Sequence, residues 1–354
     1  MRLGALLAVL ALCGCSTELT GYVLEQAWGQ LKIMNQRRPI RQVLGRGGLA
    51  PEKREKLALV LLARDYAHHE LGLRRTGAYT YFYDTGGKTL AWNLSACEKT
   101  SLRPRVWRFP VVGGLPYIGF FRREEGRAQK RALDAAGLDT YLRPVPAFSS
   151  LGWFADPVYS PLLEEDLPRL IDVVIHETTH TTIFLRGRVA FNESLAVFVG
   201  NQGALNFLAR IQGPASAEVK SYAASIVRRQ RFGRLVSALY RRLERLYASD
   251  LPRADKLRRR EELFAWAQRR YKELFPDPGT WGAFVSRKLN NAVLLSYGRY
   301  NQGIEFHRQV YERLGRNLRR MVELYKRAQR HDDPIAYVAR VTGVGLPRLG
   351  GQKM

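Results

Sequence analysis

The stretch His176-Glu177-Thr178-Thr179-His180, followed after a short loop by Phe191-Asn192-Glu193-Ser194-Leu195-Ala196, decides how the rest of the chain is read. On a helix, residues four apart lie one above the other, so His176 and His180 share a face and their imidazoles converge. Two converging imidazoles suit Zn2+, and a catalytic zinc takes a third protein ligand while one position stays open. Glu193 is the carboxylate in place to be that ligand. Glu177, beside a ligand, is positioned to take a proton from a zinc-activated water and to return it to a leaving amine. The competing reading makes the histidines satisfied core residues, with Asn192 as a helix N-cap and Glu193 beside the positive end of that helix.

The flanks predict a buried helix. Asp166 and Pro168 are start signals, and Leu167, Leu170, Ile171, Val174 and Ile175 form an apolar face. Thr178, Thr179, Thr181 and Thr182 oppose it, at about 0.5 kcal/mol each relative to Ala, so packing or metal must hold this turn. The long metzincin pattern places Gly and His where this chain has Ile183 and Arg186, which disfavours that class. A glutamate on a following helix is the gluzincin arrangement. Glu193 comes only 13 positions after His180, so a tight loop, turning at Gly187, must return the second helix against the first.

The segments Phe109-Pro-Val-Val-Gly-Gly-Leu-Pro-Tyr-Ile-Gly-Phe-Phe121, Phe148-Ser-Ser-Leu-Gly-Trp-Phe-Ala-Asp-Pro157, His176 to Ala196, and Leu289-Asn-Asn-Ala292 leading to Tyr300 resemble the bacterial Aminopep family of predicted aminopeptidases, which belong to the zincins. The resemblance implies a metallopeptidase with His176, His180 and Glu193 as zinc ligands and Glu177 as catalytic acid/base. The chain departs from the family pattern at Thr178, where an apolar residue is expected, and at Gly114, where Cys is expected. Neither change touches the proposed ligands.

The amino terminus addresses location. Arg2 precedes an apolar run from Leu3 to Leu12, too short for a permanent span and suited to a signal-peptide core. Leu12-Cys13-Gly14-Cys15 resembles a bacterial lipobox, with Cys15 as the lipidated first residue of the mature chain. Ser16 then favours the outer membrane, so the expected location is a lipid-anchored cell envelope protein on the periplasmic face of the outer membrane of a Gram-negative bacterium. An ordinary secretory signal cut elsewhere is the alternative. With Cys13 removed and Cys15 lipidated, Cys97 has no partner for an intramolecular disulfide.

The chain of 354 residues carries 57 basic and 32 acidic side chains, a net charge of +25. Such charge favours polyanions, but an exported chain meets lipid phosphates and acidic envelope polymers, so no nucleic-acid partner is expected. The arginines recur at helical spacing with Leu235, Leu239, Leu243 and Leu246 between them, which reads as amphipathic helices with a solvated basic face, or as docking to an anionic lipid surface.

A pass along the chain predicts a helix over 51–71, strands over 78–83, 89–94 and 105–112, a helix over 120–136 stopping at Gly137, and extended pieces at 141–146 and 148–154. From Phe191 nearly everything reads as helix, broken near Gly213-Pro214, Pro252 and Pro276 to Gly279, and the last residues, 349–354, read as a frayed end. The expected fold class is α+β: a zincin-like unit with a small mixed sheet and an edge strand next to the His-Glu-x-x-His helix, then a mostly helical carboxyl-terminal half. The segments are a signal peptide (1–15), the catalytic core (16–200) and an Arg-rich helical part completing the active site (201–354).

An edge strand over Phe148–Phe154 would pair with an extended substrate, with Trp153 or Phe154 walling a pocket. Tyr300 is the candidate oxyanion stabiliser, with Tyr297 and His307 behind it, and Asn290 and Asn291 are candidates for positioning substrate. The function expected is a zinc-dependent peptidase, an aminopeptidase by family resemblance. The alternatives are an envelope zinc endopeptidase and a noncatalytic anion-binding envelope lipoprotein. Peptides or proteins are the expected substrates.

Overall fold

The computed structural model describes residues 17–109, 113–145, 155–277, 282–301 and 303–347. In chain order the elements are α1 (Thr17–Gln36), β1 (Arg38–Pro39), α2 (Ile40–Arg46), α3 (Pro51–His69), β2 (Tyr81–Tyr83), β3 (Ala91–Cys97), β4 (Trp107–Phe109), β5 (Gly113–Leu115), β6 (Ile118–Phe120), α4 (Arg123–Ala135), β7 (Asp139–Val145), β8 (Val158–Tyr159) and a 3-10 turn (Ser160–Glu164). The remaining described elements are helices: α5 (Leu167–Thr182), α6 (Val189–Gln212), α7 (Ala217–Ala248), α8 (Arg253–Leu274), α9 (Ala283–Ser286), α10 (Asn291–Asn301), α11 (Ile304–Arg313), α12 (Leu318–Ala328) and α13 (Pro334–Thr342). The architecture is α+β with short strands. None of the described helices is long and apolar enough to cross a membrane.

Among the described residues the strands form three small sheets. In the mixed one, β2 pairs antiparallel with β1 (Arg38↔Phe82) and parallel with β8 (Phe82↔Val158). In the antiparallel one, β3 lies between β6 and β7, with Leu94 opposite both Ile118 and Leu142, and β4 and β5 make a separate hairpin. The mixed sheet packs on α5: Tyr79, Phe82 and Val158 share one apolar cluster with Leu170, Val173 and Val174.

Among the expected boundaries that move, two do so for an identifiable tertiary reason. The expected strand at Ala78 begins only at Tyr81, because Tyr79 adopts a left-handed backbone (φ 59°) and its N–H donates to the Asp156 carbonyl at 2.7 Å. Arg64 from α3 holds that bend, donating to the carbonyls of Ala78 (3.1 Å) and Thr76 (2.7 Å). The helix expected from Phe120 starts at Arg123, because Phe120 is the ladder partner of Trp92.

The largest core joins α3, α5, α6 and α7 to the carboxyl-terminal helices, through Ala63, Ile175, Leu195, Val219, Val310, Met321 and Val338. The division expected after residue 200 falls inside α6, which runs unbroken from Val189 to Gln212, so the two segments share one helix and one core. A second core lies between α7, α8 and α10, where Leu235, Leu239 and Leu243 are buried and Arg241, Arg242 and Arg245 are exposed, as a solvated basic face requires. Arg260 is the exception. It is buried and paired with Asp139 at 2.8 Å, and Asp139 also accepts the Asn291 backbone N–H at 3.0 Å.

Candidate metal centre

Helix α5 starts where its chemistry dictates. The Asp166 carboxylate accepts the Arg169 N–H at 2.8 Å and Pro168 occupies the first turn, where a missing N–H costs nothing. Leu170, Ile171, Val174 and Ile175 have no exposed surface, and burial contributes about 1.5–3 kcal/mol for each such side chain. The threonine run is stabilised locally: Thr178 and Thr179 donate to the carbonyls of Val174 (2.7 Å) and Ile175 (2.8 Å), and Thr181 and Thr182 both donate to that of Thr178. The helix end is latched by Gln329, the residue that caps α12, which accepts the Phe184 N–H at 2.8 Å and donates to the Thr182 carbonyl at 3.1 Å.

The loop to α6 turns at Gly187, whose φ of 75° suits glycine. Asn192 is not the N-cap, since α6 already begins at Val189. Its carboxamide reaches back instead, accepting the Leu185 N–H at 2.9 Å and donating to the Leu185 carbonyl at 2.8 Å. That closes the loop and brings Glu193 over the face that carries the histidines. Tight contact of α6 on α5 depends on Gly200, where a Cβ would lie 2.9 Å from the Asp172 carbonyl oxygen and 3.2 Å from the His176 Cβ.

Three donor atoms converge there. His176 Nε2 and His180 Nε2 are 3.1 Å apart, and Glu193 Oε2 lies 3.6 and 3.8 Å from them. Tetrahedral zinc with ligands at about 2.0–2.1 Å needs donor atoms separated by about 3.3 Å, which these separations bracket. Among the described residues, His176, His180 and Glu193 are the one group of three or more His, Cys, Asp or Glu able to hold a metal ion. His180 Nδ1 is buried and has no hydrogen-bond partner among the described residues, where packing and the groups facing Nε2 set that ring's orientation.

The electrostatics suit an anion facing two imidazoles. Burial would lower the pKa of His180, but hydrogen bonding to Glu193 and the charges of Glu193 and Glu177 outweigh it and hold it above its ordinary value. Burial would likewise raise the Glu193 carboxyl, yet the two imidazoles hold it well below the usual carboxylate range. Behind Glu177 stand Tyr79 and Tyr159. Both phenols are pushed up, Tyr79 by burial and then by the charges of Glu177 and Asp156, Tyr159 by burial and then chiefly by that of Asp156, so they remain neutral.

The remaining candidates fall elsewhere. Asn291 is fully buried, donating to the carbonyls of Glu98, Lys99 and Ser101 and accepting the Tyr247 hydroxyl at 2.8 Å, which corrects the expectation that it contacts substrate: every polar atom of its carboxamide is engaged within the protein. Asn290 donates to the Thr140 carbonyl at 3.0 Å and accepts the Val293 N–H at 2.9 Å, tying α10 to β7 in the same structural role. Tyr297 packs on Phe232 and Phe284 in the second core, and His307 is fully buried between α6, α11 and α12. Cys15, Trp153 and Phe154, with the expected strand 148–154 and the expected frayed end 349–354, lie outside the described residues. Tyr300 sits in α10 with its side chain outside them too. The motif reading did not anticipate Tyr79, Gly200, Gln329, Ser194 or Tyr325, and it singled out His307 only as a reserve oxyanion group, whereas the structure buries it against Ser194 and Tyr325. A hint was present in the close spacing of Gly200 and Gly203 within one helix.

A family model described as "Putative aminopeptidase" matches residues 21–334. No curated protein and no solved structure gives a match.

Proposed function

The chain belongs to the Aminopep family of putative aminopeptidases, and on that premise we propose that it is a zinc-dependent peptidase that removes residues from the amino terminus of peptides. The observation that carries this reading is the convergence of His176 Nε2, His180 Nε2 and Glu193 Oε2 on one point, at separations that fit a single zinc ion. His176, His180 and Glu193 would hold the metal, and zinc supplies there a Lewis acid that polarises a carbonyl and lowers the pKa of water.

Glu177 does the proton work. Its carboxylate follows a ligand on the same helix, is half-buried, and lies close enough to raise the pKa of His180. It accepts the proton of the attacking water and returns it to the departing amine. The Tyr79 and Tyr159 phenols behind Glu177 stay neutral, so neither adds a charge beside its carboxylate. The zincin-like reading of the fold rests on the mixed sheet packed along α5. Lipid attachment at Cys15 rests on the lipobox pattern, two residues before α1 begins.

The test is zinc content by elemental analysis of wild-type and Glu177→Gln protein, with turnover of peptides bearing free or blocked amino termini. One zinc per chain in both proteins, with turnover lost by about 10²–10⁴-fold in the variant, is expected. Cleavage indifferent to amino-terminal blocking would make the enzyme an endopeptidase. Zinc-free wild-type protein without cleavage would sink the peptidase reading and favour an anion-binding envelope protein.

A further inference from the structure

We propose that His307 is a positioning residue for Glu193, acting through Ser194 and Tyr325 to fix the turn that presents the carboxylate to the metal. The inference rests on the reading of His176, His180 and Glu193 as zinc ligands. His307 and Ser194 have no exposed surface, and Tyr325 is 2% exposed. His307 Nε2 lies 3.1 Å from Ser194 Oγ, and Ser194 Oγ lies 3.1 Å from the Phe191 carbonyl oxygen. On the other side, Nδ1 lies 2.8 Å from the Tyr325 hydroxyl.

Hydrogen-bond arithmetic gives these contacts a direction. A neutral imidazole has one N–H donor and one acceptor nitrogen, and Phe191 offers only its carbonyl. Every group is satisfied when the Tyr325 O–H donates to Nδ1, Nε2–H donates to Ser194 Oγ, and the Ser194 O–H donates to the Phe191 carbonyl. The chain starts on α12, crosses α11 and ends in the first turn of α6, at residues on both sides of Glu193. Phe191 also packs edge-on against the imidazole, with ring centroids 4.9 Å apart. The carboxyl-terminal helices thereby brace the ligand-bearing turn from the side away from the metal. An outer group bonded directly to a ligand changes metal affinity by about 10–100-fold when removed, and His307, one residue removed from Glu193, belongs at the lower end of that range.

The experiment is zinc affinity by chelator competition on folded wild-type, His307→Phe, His307→Gln and Ser194→Ala proteins, alongside thermal unfolding of each after chelation. His307→Phe keeps ring volume and loses both hydrogen bonds; Gln can donate and accept. A zinc Kd raised about tenfold or more in His307→Phe and Ser194→Ala, with partial rescue by His307→Gln, is expected. Ser194→Ala supplies the answer if His307→Phe does not fold. Unchanged zinc Kd in the folded variants, even with a lowered melting temperature, would leave His307 a packing residue and overturn the proposal. Failure of the zinc reading itself looks different: wild type and Glu193→Gln would then bind zinc equally poorly, and the positioning role would fall with it.

Discussion

Gly200 and Asp172 meet with no room for a side chain: a Cβ on Gly200 would come within 2.9 Å of the Asp172 carbonyl oxygen, which is helical backbone and cannot step aside. Ala would improve the intrinsic propensity of α6 by about 1 kcal/mol. The clash opposes that gain, since overpacking a tight contact costs about 1–3 kcal/mol, and relief requires α6 to move off α5. Glu193 rides on α6 and the histidines on α5. Gly200→Ala is therefore expected to lower stability by up to about 2 kcal/mol and to weaken zinc binding, read by urea unfolding and chelator competition. An Ala variant with wild-type zinc affinity would show that the contact does not set the ligand spacing.

Asn192→Ala separates two roles for this residue. As an N-cap its loss would fray the start of α6 alone. As observed, its carboxamide satisfies both the N–H and the carbonyl of Leu185, which is only 6% exposed. Leaving those groups unpaired costs about 1–3 kcal/mol and frees the loop that aims Glu193. Asn192→Asp keeps the acceptor for the Leu185 N–H but cannot donate, so it is expected to fall between wild type and Ala in melting temperature. Equal stability of Ala and wild type would contradict the bracing role.

The helix bearing the histidines, its Asp166 cap and the turn at Gly187 were legible because each is written in local chemistry: a 3.6-residue apolar period, a carboxylate one residue before the helix, and a glycine where the backbone goes left-handed. What the sequence hid was set by partners far along the chain. Tyr79 reads as strand, and only the Asp156 carbonyl and Arg64 show why it bends. Phe120 reads as helix until Trp92 claims it. Helix α1 escaped notice because its apolar residues follow no single face, with Trp28 72% and Leu31 50% exposed. Asn291 looks like a substrate contact beside Tyr300, yet four groups from Glu98 to Tyr247 occupy it. Periodicity reports which residues are buried, not what they face.

Asn291→Ala accordingly is expected to act on stability and not on turnover. The variant strands the Tyr247 hydroxyl and removes a donor from the Glu98–Ser101 loop, at a cost of about 1–3 kcal/mol. In protein that remains folded, kcat and KM should match wild type. A raised KM at unchanged melting temperature would restore Asn291 to the substrate site.

The pH dependence of stability carries the last test. Burial lowers the pKa of His307 to about 3, against an ordinary 6.5. Between those values the unfolded chain binds a proton that the folded chain does not. This contribution to stability is therefore fully present above about pH 6.5 and declines as pH falls towards 3, by up to about 1.4 kcal/mol per pH unit. Over pH 6.5 to 5, before most carboxylates titrate, the loss amounts to about 1–2 kcal/mol. His180 works in the opposite sense in metal-free protein, because its raised pKa adds stability on acidification. Subtracting the curve of His307→Gln from that of wild type, both after chelation, cancels His180 and the carboxylates and leaves His307. The difference is expected to narrow as pH falls from 6.5 to 5, since only wild type resists protonation there. Parallel curves would mean that the folded chain protonates the imidazole as readily as the unfolded chain does, so that the directed chain from Tyr325 to Phe191 loses its acceptor nitrogen as pH falls below about 6.5.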